Sequence, residues 1–217
     1  MCGRFALAVE PEALLRFIGL TELLSVPPRF NIAPSQSVLA AFDENGVRVV
    51  RELRWGFTVR GLAAPLINAR AETLLEKPAF REAARLRRCL VPASGFYEWE
   101  RGGSKRPWLF RPTQGEILAI AAVWQPEAPG GPPAALALVT TRANATVAPL
   151  HDRMPVLVPP EGFGAWLDPT ADPAPLLVPA PEGALTAQPL DGTVSDVRAE
   201  GPACWNPWRE RQGRLFP

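Results

Sequence analysis

Cys2, Glu98 and His151 are the residues of this chain whose chemistry depends most on their surroundings. The sequence opens Met-Cys-Gly-Arg-Phe, and a residue as small as Cys after the initiator lets methionine aminopeptidase expose Cys2 as the N-terminus. The product would be a 1,2-aminothiol. An α-amine titrates near pH 7.7 to 8.0, about two and a half units below a lysine, so part of it is neutral and nucleophilic at pH 7. Such an amine condenses with an aldehyde to an imine, and the thiol of the same residue can then close a five-membered thiazolidine. An internal cysteine cannot do this. On the dipeptide alone, the plainer reading of Cys2 is a small buried hydrophobe.

His151 is the one histidine, in Pro149-Leu150-His151-Asp152-Arg153-Met154-Pro155, a turn that enters an apolar strand. It is either a hydrogen-bonded structural residue or a proton-transfer group facing a cleft. Glu98 lies in the aromatic run Gly95-Phe96-Tyr97-Glu98-Trp99 and is either a solvated carboxylate or a desolvated acid with a raised pKa. In Ile67-Asn68-Ala69-Arg70-Ala71-Glu72, alternation puts Asn68 and Arg70 on one face of an extended segment. Asn offers a neutral donor and acceptor, and Arg offers a fork for phosphate. The competing reading of the same residues is an Arg-Glu surface pair before a helix start.

The elements that would position these groups are mostly strands. Arg4 to Val9, Ser37 to Phe42, Val47 to Phe57, Leu118 to Trp124, Ala135 to Thr141 and Met154 to Val158 have the β-branched or alternating apolar character of short strands. Helical period appears over Pro11 to Leu20, with Pro at the start, and over Ala79 to Arg88, where Arg81, Arg85 and Arg88 would share a face. The stretches Pro126 to Pro133 and Asp168 to Pro181 read as excursions, because proline cannot donate within a ladder. This pattern predicts an α+β fold, a single domain over residues 1–217 with a barrel-like, mainly antiparallel β core flanked by helices.

Composition narrows the setting. No stretch reaches the roughly 18 uncharged apolar residues of a membrane span, and an acidic residue follows the first short apolar run, unlike a secretory signal. A cytoplasmic, monomeric protein with no membrane partner is expected. Cys2, Cys89 and Cys204 are odd in number and far apart, so neither a disulfide framework nor a metal site is expected, and no cofactor is implied. The formal net charge of +1 gives no global basic field, so attraction to a polyanion would rest on a local set of arginines.

Six blocks then occur in order: Met1-Cys2-Gly3-Arg4-Phe5, Phe30-Asn31-Ile32-Ala33-Pro34, Arg54-Trp55-Gly56-Phe57, Ile67-Asn68-Ala69-Arg70-Ala71-Glu72-Thr73, Arg88-Cys89-Leu90-Val91-Pro92-Ala93-Ser94-Gly95-Phe96-Tyr97-Glu98-Trp99 and His151-Asp152-Arg153-Met154-Pro155. Together, with a weaker echo in Gly201-Pro202-Ala203-Cys204, they resemble the SRAP (SOS response-associated peptidase) family. The resemblance implies a groove for single-stranded DNA in which Cys2, freed of Met1, forms a thiazolidine with the ring-opened sugar of an abasic site. It implies that Asn68 orients the amine and adduct, Glu98 assists ring opening and proton transfer, and His151 acts as acid and base on the sugar oxygen and in resolving the imine. It assigns DNA contacts to Arg4, Pro34, Trp55, Arg70, Trp99 and Arg153, with the two last-named arginine positions, Arg70 and Arg153, on the flanking phosphates and Pro34 and Trp99 on the neighbouring bases. Autoproteolytic removal of the initiator, strand cleavage through the imine and association with the nucleoid when bound to DNA are also implied.

This chain departs from the family after Phe57, where Thr58-Val59-Arg60 leads quickly to Pro65 and an expected Ile-Pro and further Trp are missing. Two other readings stay open. An N-terminal cysteine could attack an amide as N-terminal nucleophile amidohydrolases do. A non-catalytic nucleic-acid module would leave Cys2 dispensable.

Overall fold

A computed structural model describes residues 2–20, 22, 25–59, 61–127, 129–131 and 133–209. Met1 and Arg60, and residues 128 and 132 of the first proline-rich excursion, lie outside the described residues. The strands are β1 (Phe5–Leu7), β2 (Arg29–Ile32), β3 (Ser37–Glu44), β4 (Val47–Trp55), β5 (Asn68–Arg70), β6 (Arg88–Ala93), β7 (Gly95–Trp99), β8 (Pro107–Pro112), β9 (Leu118–Gln125), β10 (Ala135–Arg142), β11 (Arg153–Pro155) and β12 (Leu185–Pro189). Three α-helices accompany them, α1 (Pro11–Ile18), α2 (Arg81–Leu86) and α3 (Phe163–Leu167). The expected α+β fold with a sheet core is what the chain adopts.

One sheet runs β12-β8-β7-β1-β2, all pairings antiparallel. The other runs β11-β10-β4-β3-β6-β9, and β9 pairs again with β10 through Ala122–Gln125. Pairing therefore returns on itself in a barrel-like arrangement, though the β10–β4 contact is parallel and holds only Ala135↔Arg54 and Leu136↔Trp55. The barrel-facing strands read as continuous buried runs: β6 is buried at every position and β9 through Val123. A strand covered on both faces loses the alternation that marks a half-buried one. β6, interrupted by Pro92, and β7, opened by Gly95, carry no run that delimits them, whereas the equally buried β9 is marked by its length and its Ile and Val.

β10 organises the far side of the barrel. Its Leu138–Thr140 pairs in parallel with all three residues of β5, and its Thr140–Arg142 pairs antiparallel with β11. Asn68 and the segment that leaves His151 are thereby brought to flanking strands. On the other sheet, β1 lies between β2 and β7, with Phe5 opposite both Ile32 and Phe96. At Gly95 an added Cβ would stand 2.5 Å from the Phe110 carbonyl oxygen, so only glycine admits this approach of β8 to β7.

The core is built around Trp55, Trp166, Tyr97, Phe5, Phe96 and Phe110, each with almost no exposed surface. Trp55 packs on Phe5 at 5.2 Å between ring centroids and donates its indole N–H to the Ile67 carbonyl at 2.8 Å.

Arg88 corrects the expected arginine face. It is not on α2 but opens β6, because the helix ends at Leu86, and its side chain is buried. The guanidinium donates to the Ala84 and Arg85 carbonyls at 2.7 and 3.0 Å, to Ala171 at 3.1 Å, and to the carbonyls of Trp166 and Asp168. One side chain thus satisfies carbonyls at the end of α2 and of α3, groups a helix leaves without internal partners. Arg88→Met should cost about 3 kcal/mol or more in urea denaturation, since it strands five carbonyl acceptors, two of them on the buried residues Ala84 and Trp166, and Arg88→Lys should recover only part because an ammonium cannot span them. A loss under 1 kcal/mol for Arg88→Met would contradict this account.

Candidate active site

The residues expected to do chemistry converge through β1 and β7. Their antiparallel register continues past Phe5↔Phe96 by a hydrogen bond from the Tyr97 N–H to the Arg4 carbonyl at 3.0 Å, which lays the segment before Arg4 along the end of β7. Cys2 and Glu98 come into electrostatic range: both are buried, and the Glu98 charge acts on the Cys2 thiol. Burial, and next the charge of Glu98, push the thiol well above its ordinary range, so it is protonated at neutral pH. Burial also raises the Glu98 carboxyl to about 7, opposed by the charge of the terminal amine and then of Arg101 and aided by Asp152.

Asn68, on β5, reaches across to the same place. Its amide N–H donates to the Cys2 carbonyl at 2.8 Å. The Asn68 amide oxygen is buried and accepts from no described group. The burial pattern of β5 turns Ala69 inward and leaves Asn68 and Arg70 on the opposite face, as alternation requires.

His151 lies before β11, half-buried, and its Nδ1 accepts the Arg153 backbone N–H at 2.9 Å. The same Nδ1 stands 3.1 Å from an Asp152 carboxylate oxygen, a contact that attracts only if the ring is protonated. Desolvation holds the His151 pKa below its ordinary value, so the backbone bond defines the state at neutral pH: a neutral ring with its proton on Nε2. Asp152 is instead paired with Arg101 at 2.6 Å, and this ion pair acts on both Glu98 and His151. Arg101 was not read from sequence as a site residue. Its position, three residues after Glu98 in the loop that leaves β7, was the available signal.

The expected DNA-contacting residues divide. Arg70 is exposed and Pro34 is half-buried in the turn after β2. Arg153 is held in a bidentate pair with Glu72 at 2.7 and 2.8 Å, so Glu72 partners Arg153 from across the sheet and not its sequence neighbour Arg70. Arg4 donates to Asn31 at 2.6 Å and to the Val194 carbonyl at 3.0 Å, and lies over the Trp99 ring at 5.5 Å. It braces β1 against the C-terminal segment. Trp99 is half-buried and donates its indole N–H to Ser195 at 3.0 Å. Trp55 is the exception to the expected set: with no exposed surface it has no face to offer a base, and it supports the site from beneath by holding the carbonyl before Asn68.

Among the described residues no group of three or more His, Cys, Asp or Glu side chains is placed to hold a metal ion, and no helix is long and apolar enough to cross a membrane. All three cysteines are free thiols.

The chain is similar to known proteins in sequence and in fold. The chain is 34% identical over 183 residues to the abasic site processing protein YoqW of Bacillus subtilis, covering 78% of this chain and 81% of that one. It is 28% identical over 176 residues to the abasic site processing protein YedK of Escherichia coli, covering 77% and 79%. Among solved structures, a protein of Bacteroides thetaiotaomicron superposes with a TM-score of 0.83 at 19% identity, covering 96% of this chain and 100% of that one, which speaks to the fold alone. A phage-related protein of Bordetella bronchiseptica superposes with a TM-score of 0.74 at 27% identity over 96% and 100%. The sequence profile named SOS response associated peptidase (SRAP) matches residues 1–197, and the chain belongs to that family.

Proposed function

We propose that this protein, once Met1 is removed, traps abasic sites in single-stranded DNA as a thiazolidine on Cys2. The observation that carries the reading is the placement of Cys2: its carbonyl is held by Asn68, its thiol is buried, and Glu98 beside it titrates near 7. The Asn68 amide oxygen, left without a donor, supplies an acceptor for the amine of the same residue. An amide fixed at one end by the Cys2 carbonyl would orient that amine for attack.

The abasic sugar is mostly a closed hemiacetal and must open before it can react. In the proposed sequence, the Glu98 carboxylate takes the proton of the anomeric hydroxyl, the His151 Nε2–H hydrogen-bonds the departing ring oxygen, and the proton held by Glu98 then passes to that oxygen, so a free aldehyde forms without net proton change and Glu98 is a carboxylate again. The Cys2 amine adds to the aldehyde, and loss of water leaves an imine. The thiol then adds across the C=N bond: a C–S bond forms, and the thiol proton passes by way of Glu98 to the nitrogen. A thiol kept protonated by burial suits this order, in which the amine leads and sulfur closes the ring. It argues against the amidohydrolase reading, where a thiolate must attack first. Strand cleavage from the imine and autoproteolytic release of the initiator belong to the same proposal. Arg70 and Arg153 would take the phosphates beside the lesion, Arg153 exchanging the Glu72 carboxylate for a phosphate of like geometry. Pro34 and Trp99 would cover the adjoining bases, and Arg4 would hold Trp99 in place.

Purified protein mixed with a single-stranded oligonucleotide carrying one abasic site should give a band retarded on a denaturing gel, absent with Cys2→Ala and with undamaged strand. A Met1-free preparation that gives no such band would refute the covalent reading. The rate of band formation should also report Glu98. A carboxyl titrating near 7 is about one-tenth ionised at pH 6 and nine-tenths at pH 8, so its contribution as base rises roughly tenfold across that window. Glu98→Gln should be slower by about 10²-fold and should lose the inflection near 7, keeping only the rise from the amine. An unchanged inflection in that variant would assign it elsewhere.

A further inference from the structure

Beyond the lesion site, the loop joining β7 to β8 and the segment that follows β12 enclose a pocket of about 250 Å³. Its walls include Lys105, Arg106, Pro107, Asp191, Ser195 and Trp208. The pocket adjoins Trp99 through two direct contacts, since Pro107 is the strand partner of Trp99 and Ser195 accepts its indole N–H at 3.0 Å. Trp208 is an exposed indole, 37% accessible, on a fixed backbone: its N–H donates to the Pro189 carbonyl at 2.9 Å, and Pro207 bridges to Leu190. One face of that indole is covered by the Arg106 guanidinium, 3.8 Å from the ring centroid. A partly exposed ring backed by a cation can serve as a stacking platform for a planar base.

We propose that this pocket binds a further nucleotide of the same single strand, with its base against Trp208 and its phosphate at Lys105. The proposal rests on the reading that the protein engages single-stranded DNA, and it extends the strand from Trp99 away from Cys2. Polarity sets the orientation. Asp191, whose carboxylate accepts the Thr193 N–H at 2.9 Å, places negative charge on the pocket wall, and Arg106 is already shared between Trp208 and Glu100 at 3.7 Å. A phosphate is repelled from the interior, so the base enters and the phosphate stays outside, where Lys105 is exposed. Trp208 lies beyond residues 1–197, which match the family profile.

The test reads binding to undamaged strands, which does not depend on the covalent step. Fluorescence anisotropy with labelled deoxyoligonucleotides of about three and about twelve nucleotides, lengths that bracket a single-strand site, should show tighter binding of the longer one by the native protein. Trp208→Ala should weaken the longer strand about tenfold, or ~1.4 kcal/mol, and leave the shorter one unchanged. Trp208→Leu, which keeps apolar bulk without a π face, should weaken it likewise, and Trp208→Phe should restore most of it. Lys105→Gln should lower the salt slope by roughly 0.7. Crosslink yield at saturating abasic strand should be unaltered in all four. Native affinity for the longer strand in both Trp208→Ala and Trp208→Leu would overturn the proposal. A native protein that binds undamaged strands through Trp208 but never crosslinks would leave the subsite standing and remove the covalent reading instead.

Discussion

A chain terminus frays unless something ties it down, and a reactive group placed on a terminus is only as well positioned as that tie. Here the tie is the insertion of β1 between β2 and β7, with Phe5 fully buried against Trp55 and paired on both edges. Three residues of strand are enough because every one is buried. Arg4 adds a lateral brace to Asn31 and Val194 on one side, and Asn68 holds the Cys2 carbonyl from the other. Loss of that sandwich would leave Glu98, His151 and Asn68 in place around a mobile cysteine.

The site's electrostatics follow from the same burial. Removing Cys2 and Glu98 from water together disfavours charge on both, which keeps the thiol protonated and brings the carboxyl to the pH at which it can both accept and return a proton. The Arg101–Asp152 pair at the rim acts on Glu98 in opposite senses, Arg101 lowering and Asp152 raising its carboxyl, without entering the buried region, since both side chains are largely exposed. Such a site has little need of a strong overall field, consistent with a net charge of +1. Retention would come from a covalent bond, with a few arginines and aromatic surfaces sufficient for the encounter.

The fold class and six of the strands were legible because their alternating or β-branched runs stand between turn signals. β2, β8 and β12 were not delimited: β8 and β12 have proline at their ends, and the short β2 includes Arg29 and Asn31. The end of α2 was misread because Arg81, Arg85 and Arg88 keep helical spacing, whereas Arg88 is drawn into β6 to serve five carbonyls. At the site, Cys2, Asn68, Glu98 and His151 could be named from their motifs. Spacing could not show that Trp55 is a core residue, that Glu72 answers Arg153, or that the Arg101 charge acts on Glu98 and His151. Those facts depend on β10 carrying β5 and β11 as flanking strands, a long-range arrangement that no local pattern encodes.

The central claim is that the bond to DNA is made at the amine and sulfur of one residue. Mass spectrometry of the adduct after protease and nuclease digestion tests it most directly. The account predicts a peptide beginning at Cys2, lacking Met1, with the sugar remnant on its first residue, a total mass equal to the two reactants less one water, and no free thiol at Cys2. A remnant on Lys77 or Lys105, or on Cys2 with its amine free, would contradict it.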